Sequence, residues 1–283
     1  MELKSYAHIL RNKTLFNWLP AVRPLVYSLF TINHAPVIVL GNQKSGTSAI
    51  AALLAKATGM SYDIDIAGFR NPEYTALHQN ETALLPLVQQ RAKIEFSKDV
   101  VKEPNLTFLL PKLLETFPKA TYVFIVRDPR ANIRSTLNRL KIPGTAGSID
   151  PADYPEISPI WRSILYNEWV EETQNPSHIY RSARRWRLAA EAYLRHRERL
   201  HLIRYEDFNQ NKTDAIYDLA RRIGKEITHD ISDKVDIQFQ VKGKRPSSYK
   251  DYFGAENLRM IESVCSPIME QFDYQPEILV DAK

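Results

Sequence analysis

Residues 41–48 read Gly-Asn-Gln-Lys-Ser-Gly-Thr-Ser, two glycines with four residues between them and then a hydroxyl pair. An apolar run, Val37 to Leu40, leads into this loop, and a helix is expected from the hydroxyl pair onward, over 48–58. This is the strand–loop–helix setting of a phosphate cradle, in which backbone N–H groups and a helix N-terminus face an anion. In the nucleotide triphosphatase form a lysine follows the second glycine, and a Ser or Thr follows the lysine to hold Mg²⁺. Here Thr47 occupies the lysine position, and the only cation of the loop, Lys44, lies inside it. The anion cradle is kept and the metal–nucleotide arrangement is spoiled, which points to an anionic donor other than Mg-ATP.

A second group of residues belongs with the first. Thr121 to Val126 is a β-branched and aromatic run, apolar on both faces as a central parallel strand must be. It ends in Arg127-Asp128-Pro129-Arg130, and the helix that follows carries Arg134, Ser135 and Thr136. Arg127 at the strand tip and Ser135 two turns along the helix can converge on one phosphate, the arginine by a forked contact and the serine by its hydroxyl. Loop and pair together resemble the sulfotransferase family that uses 3′-phosphoadenosine 5′-phosphosulfate, bacterial-type or carbohydrate-type members included. That family has a Lys- or Arg-Ser-Gly-Thr loop for the 5′-phosphosulfate and an Arg followed eight residues later by Ser for the 3′-phosphate.

The resemblance covers residues 37 to about 272. It implies that Gln43, Lys44, Ser45, Gly46, Thr47 and Ser48 hold the 5′-phosphosulfate, and that Arg127 and Ser135 hold the 3′-phosphate. Ile-Arg-Tyr-Glu-Asp-Phe at 203–208 is similar to a segment whose tyrosine contacts adenine, implying that role for Tyr205. Lys242-Gly243 resembles a late Arg-Lys-Gly loop that closes on the 3′-phosphate, although Val241 stands where its arginine would be; Lys244 or Arg245 could substitute. Ala49 stands where many relatives stack an aromatic on adenine, so that platform must come from elsewhere.

Sulfuryl transfer is an in-line displacement catalysed mainly by positioning and electrostatics. Lys44 is suited to neutralise the bridging oxygen of the leaving nucleotide, and Lys102 is a second cation for the sulfuryl group. A sulfuryl group carries less negative charge than a phosphoryl group, so no metal is expected. A hydroxyl acceptor needs a base within hydrogen-bond reach. Four residues are candidates, in the order Asp65, Glu103, Asp63, His78. Asp65 best matches the offset at which relatives acting on carbohydrate or tyrosine hydroxyls carry a glutamate. Glu103 lies in Lys102-Glu103-Pro104, where small-molecule sulfotransferases have Lys-Thr-His; their histidine aligns with Pro104, which cannot act as a base. For Asp63 and Asp65 the bland alternative is a polar loop or strand edge, for His78 a surface or capping residue, and for Lys102 a partner of Glu103 or a nearby carboxylate.

The elements that must hold these residues follow from the hydrophobic pattern. Strands are expected at 37–40, 99–102, 121–126 and 202–205, and helices at 48–58, 79–93, 105–117, 129–140, 211–223 and 256–271. This alternation predicts a three-layer α/β fold, a central parallel sheet with the phosphate loop at its edge and helices on both faces. Residues 141–160, with four prolines and two glycines, read as a long loop suited to lid the acceptor site. The arginines of 181–199 read as a solvated helix face, with Trp186, Leu188, Ala192 and Leu194 on its buried side.

Composition sets the outer bounds. With 283 residues, 44% hydrophobic and 25% charged, the chain has the make-up of a globular protein. No linker or repeat divides it, so residues 37–283 are expected to form one domain with 1–36 packed on it as a helical or amphipathic segment. A net charge of +5 suits an anionic nucleotide, and no motif favours nucleic acid. The single cysteine, Cys265, excludes an internal disulfide framework and points to a reducing, cytoplasmic setting. Leu15 to Phe30 is interrupted by Asn17, Pro20, Arg23 and Pro24 and cannot span a bilayer; packing on the domain is favoured over a peripheral membrane contact. The expected acceptor is a small molecule, glycan or glycolipid. A nucleotide kinase or triphosphatase, and a non-catalytic nucleotide-binding module at a membrane, are the competing readings.

Overall fold

The computed structural model describes residues 23–66, 69, 72–147, 149–150, 153–166, 177–235 and 248–277. Its centre is a five-stranded, all-parallel sheet in the order β2-β3-β1-β4-β5. The strands are β1 (Val37–Gly41), β2 (Tyr62–Ile64), β3 (Val100–Lys102), β4 (Thr121–Val126) and β5 (Leu200–Arg204). β1 lies between β3 and β4, with Val39 opposite both Lys102 and Val123. The chain leaves β1 toward β2 and β3 on one side and later crosses to β4 and β5 on the other. That reversal opens a crevice at the C-terminal ends of the strands, where ligands bind in such sheets.

Alternation along the strands builds two cores. Ile38, Leu40, Tyr122 and Phe124 pack into one face, and Val37, Val39, Val123 and Ile125 into the other, all nearly or fully buried. The helices complete three layers. Helix α2 (Thr47–Thr58) and helix α10 (Lys212–Arg222) bring Ile50, Leu53, Ile216 and Leu219 to the second face. The first face is covered by α5 (Leu110–Thr116), α6 (Pro129–Leu140), α8 (His178–His196) and α11 (Tyr249–Met269). Shorter helices are α1 (Arg23–Ser28), α3 (Glu73–His78), α4 (Leu84–Arg91), α7 (Pro159–Tyr166) and α9 (Tyr205–Gln210). Among the described residues no helix is long and apolar enough to cross a membrane.

Helix α6 and strand β4 have the expected limits. Elsewhere the elements depart from the pattern for local reasons. The helix expected over 79–93 is the shorter α4, preceded by a turn at Asn80, whose backbone is left-handed (φ 60°), and by α3, which the pattern did not predict. The start of the helix expected over 105–117 is a 3₁₀ segment, Pro104–Leu109, capped by the Glu103 carboxylate. The final helix begins at Tyr249 rather than 256, and Gly254 (φ 73°) breaks it near its start. Residues 62–64, for which the pattern gives no element, form the edge strand β2, so of the two bland alternatives for Asp63 the strand edge is the one observed. Residues 1–22, with most of the N-terminal segment, lie outside the described residues, as do Val241, Lys242, Gly243, Lys244 and Arg245.

Candidate active site

Every strand delivers a candidate residue to the same edge of the sheet. Lys44 follows β1, Asp65 follows β2, Lys102 ends β3, Arg127 follows β4 and Tyr205 follows β5. The loop after β1 is held from three sides. Thr107 Oγ1 accepts from Gly41 N at 2.9 Å and donates to Gly41 O at 3.1 Å. Asn132, on α6 and 1% exposed, donates to Gln43 O at 2.8 Å and to Ser45 Oγ at 2.9 Å, and accepts from Asn42 Nδ2 at 3.0 Å. Gln43 donates to Asn105 Oδ1 at 2.8 Å and accepts from Arg185 Nε and Nη2 at 3.1 and 3.0 Å. Gly46 (φ 91°) is needed both for its backbone and for its lack of a Cβ, which would sit 2.4 Å from the Tyr205 ring.

Arg185 corrects the solvated-face reading of the arginine-rich helix. It is 2% exposed, lies over the Phe108 ring at 4.3 Å, and burial pushes its pKa down to about 10. On the same helix Trp186 is buried as expected, with Ala183, Ala189 and Ala190, whereas Leu188, Ala192 and Leu194 are only half-buried. The expectation failed because hydrophobic periodicity has no means of registering a cation whose partners are two amide oxygens from distant loops.

Lys44 has a left-handed backbone (φ 68°), rare for a residue with a Cβ. Its ammonium is half-buried, and its pKa is lowered to about 8, first by burial and then by Arg139, Arg127 and Lys102. Lys102, its side chain 4% exposed, forms an ion pair with Asp65, whose side chain is 65% exposed and whose backbone is also left-handed (φ 65°). The next residue, Glu103, is 5% exposed and accepts from Asn105 N at 3.0 Å. Burial raises its pKa to about 7 against the opposing pull of Lys102, the Asn105 N–H and the Ile66 N–H.

The other two base candidates have local partners. Asp63 accepts from Ile64 N at 2.8 Å. His78 stands edge-on to Tyr74 at 4.6 Å, and burial lowers its pKa to about 4. A histidine that stays neutral down to that range is a packed ring rather than a base tuned to neutral pH.

Arg127 is the hub of the other half of the crevice. Its Nη1 donates to Lys44 O at 2.9 Å, its Cζ lies 4.3 Å from the centre of the Tyr205 ring, and its Nε is buried with no hydrogen-bond partner. The strand tip is fixed by Trp186 Nε1 donating to Arg127 O at 2.8 Å and by Asp128 N donating to Glu206 Oε1 at 3.1 Å. Asp128 also caps α6, accepting from Arg130 N and Ala131 N. Arg130 is spent on structure: its Nε and Nη2 bind Asp128 and its Nη1 binds the fully buried Glu262 at 2.8 Å. Ser135 is half-buried on α6 and makes no side-chain hydrogen bond among the described residues. Tyr205, given an adenine contact by resemblance, is placed against Gly46 with one face covered by Arg127.

Asn42, Asn105, Thr107, Asn132 and Arg185 were missed by sequence reasoning. Each is an ordinary polar residue whose function is to brace the loop, and only Asn132, two residues after Arg130 at the start of a helix facing the loop, left any positional hint.

The fold and this loop-centred site define a group-transfer enzyme of the phosphate-loop kind. The sulfotransferase domain model matches residues 34–272, and the chain belongs to the sulfotransferase family. In three dimensions it is similar to mouse sulfotransferase SULT7A1 complexed with PAP (TM-score 0.50, 11% identical, covering 86% of this chain and 88% of that one). It is also similar to sulfotransferase STF9 from Mycobacterium avium (TM-score 0.49, 14% identical, covering 89% of this chain and 80% of that one). No curated protein matches the sequence significantly.

Proposed function

We propose that this sulfotransferase takes its sulfuryl group from 3′-phosphoadenosine 5′-phosphosulfate and passes it to a hydroxyl of a carbohydrate, a glycolipid or a small metabolite. The observation that carries the reading is the meeting of Lys44, the Lys102–Asp65 pair and Arg127 at one edge of the sheet. The residues suit the donor's two anionic ends. The loop amides with Lys44 match a phosphosulfate, and the buried Arg127 Nε, which lacks a partner, matches a second phosphate. The bound donor supplies the sulfuryl group, its bridging S–O bond breaking as the acceptor oxygen bonds to sulfur. Lys44 neutralises charge on the bridging oxygen, and Ser45, Gly46, Thr47 and Ser48 supply further donors. Ser135 joins Arg127 at the 3′-phosphate, Tyr205 borders the nucleotide, and Lys242, Gly243 and Lys244, outside the described residues, are assigned to the 3′-phosphate on the resemblance alone.

Asp65 remains the proposed base. It is the exposed carboxylate of the pair of candidates and can reach an incoming hydroxyl. Glu103 is buried and engaged by backbone amides, which suits support of Lys102 and of the segment it caps.

Calorimetric titration with adenosine 3′,5′-bisphosphate, adenosine 5′-monophosphate and ATP tests the donor. The bisphosphate should bind most tightly, and Arg127→Ala should remove most of its advantage over the monophosphate, since a charge-assisted phosphate contact is worth about 1.5–3 kcal/mol. Equal binding of bisphosphate and monophosphate by the native chain would refute the reading, and preference for ATP would favour a kinase or triphosphatase. Labelled donor offered with candidate hydroxyl acceptors, read by mass spectrometry, identifies the acceptor class.

A further inference from the structure

Two guanidinium groups lie over the ring of Tyr249, and their surroundings differ. Arg130 Cζ is 5.0 Å and Arg134 Cζ 4.8 Å from the ring centre. The two arginines are four residues apart on α6 and therefore share a face. Arg130 is committed to Asp128 and Glu262. Arg134 has no ion pair, and its guanidinium has no hydrogen bond among the described residues. Tyr249 opens α11, so the ring is anchored by a helix start. An arginine laid on an aromatic face is oriented by the ring while its N–H groups stay available to a ligand.

Arg134 is also close enough to Arg127 for their like charges to oppose each other. Tyr249 in turn feels Arg127 as well as Arg130 and Arg134. Glu206 is the carboxylate that acts on Arg127, and it is engaged by the Asp128 N–H and the Tyr274 hydroxyl. Among the described residues neither guanidinium has an ion pair, so an anion placed between them relieves their repulsion.

Resting on the donor reading above, we propose that Arg134, held on Tyr249, is a second guanidinium for the donor's 3′-phosphate and sets the preference for a 3′-phosphorylated nucleotide. Arg127 then approaches the phosphate from the strand tip and Arg134 from the helix, so that the pair grips a dianion that neither would hold alone. A nucleotide without the 3′-phosphate leaves both cations facing each other and gains nothing from Arg134.

The test measures affinity for adenosine 3′,5′-bisphosphate and adenosine 5′-monophosphate in the native chain and in Arg134→Ala, Arg134→Gln, Arg134→Lys and Tyr249→Leu. Arg134→Ala and Arg134→Gln should each cut the bisphosphate-to-monophosphate affinity ratio by about tenfold while leaving monophosphate affinity unchanged. Arg134→Lys should recover part of the ratio, since it keeps the charge and loses the fork. Tyr249→Leu should lower the ratio by less than Arg134→Ala does, because it removes only the platform. A native ratio of one overturns the donor reading itself. A high native ratio left intact by Arg134→Ala and Arg134→Gln overturns this inference alone, as does an equal loss of both nucleotides, which would mark a general field effect. Thermal unfolding of each variant confirms that the half-exposed position tolerates the change.

Discussion

Raising the pH from about 8 to about 9 should weaken adenosine 3′,5′-bisphosphate binding, because Lys44 loses its proton in the free protein over that range. Its pKa of about 8 is set by burial and by the charges of Arg139, Arg127 and Lys102. An anion seated beside the ammonium offsets those charges and raises the pKa again, so binding takes up a proton wherever the free lysine is neutral. One unit above its free pKa, about a tenth of the protein carries the charged form. Affinity at about pH 9 should therefore be roughly tenfold below its value at about pH 7, or about 1.4 kcal/mol. The ligand contributes little to the result, since phosphate monoesters have a second pKa near 6 and are almost fully ionised above about pH 7. Glu103, with its pKa near 7, titrates at the lower end of this comparison, and Glu103→Gln removes its contribution as a control. Calorimetry in two buffers of different ionisation heat reads both the affinity and the proton uptake. Lys44→Met should bind weakly at every pH with no slope above about pH 8. A native affinity that stays flat to about pH 9.5, or a slope that survives in Lys44→Met, would refute the assignment of the titrating charge to Lys44.

The same lowered pKa has a consequence for folding. The unfolded state holds its proton up to the ordinary lysine value of 10.5 while the folded state loses it near 8, so stability rises with pH between those values, and Lys44→Met should raise the melting temperature at neutral pH. Asp65→Asn should keep bisphosphate binding and lose about 10²–10⁴-fold in turnover, the usual share of general-base catalysis, whereas Glu103→Gln should retain most turnover; the reverse outcome in a transfer assay would move the base to Glu103. Asn132→Ala leaves Gln43 O, the Ser45 hydroxyl and the Asn42 amide without their partner, each at a cost of about 1–3 kcal/mol, so both the melting temperature and bisphosphate affinity should fall.

What the sequence made legible was whatever is periodic or fixed in spacing. Strand β4 and helix α6 were readable to the residue because a doubly buried apolar run ends at Arg127-Asp128-Pro129, where Asp128 is the cap and Pro129 occupies the first turn. The loop was readable because its glycines answer to backbone geometry. Strand β2 was not, since it is an edge of three residues whose side chains are exposed or half-buried, and the alternation Tyr62-Asp63-Ile64 is too short to tell a strand from a polar loop. Arg185 was misread for the opposite reason. Its burial depends on Gln43 and Asn105, residues 142 and 80 positions away, and no local pattern carries that information. The helix expected from 79 starts only at Leu84, after a turn in which Asn80 is left-handed.

Two of the proposed reacting residues, Lys44 and Asp65, share a property that the surrounding structure enforces. Both have positive φ, a conformation that costs a residue with a Cβ about 1–2 kcal/mol. The cost is met by contacts that also orient the site. Lys44 O accepts from Arg127 Nη1, so the strained loop is pinned by the residue proposed for the 3′-phosphate. Asp65 N donates to Lys102 O at 3.0 Å, while the Asp65 carboxylate pairs with the Lys102 side chain. Each strained residue is thus tied to a cation at the tip of a neighbouring strand, Lys44 to the end of β4 and Asp65 to the end of β3. Relaxing either backbone would break the tie that positions its partner. Strain held in this way concentrates where pre-organisation has a use. At the edge of this sheet it fixes the backbones of the two residues proposed to neutralise the leaving oxygen and to accept the hydroxyl proton.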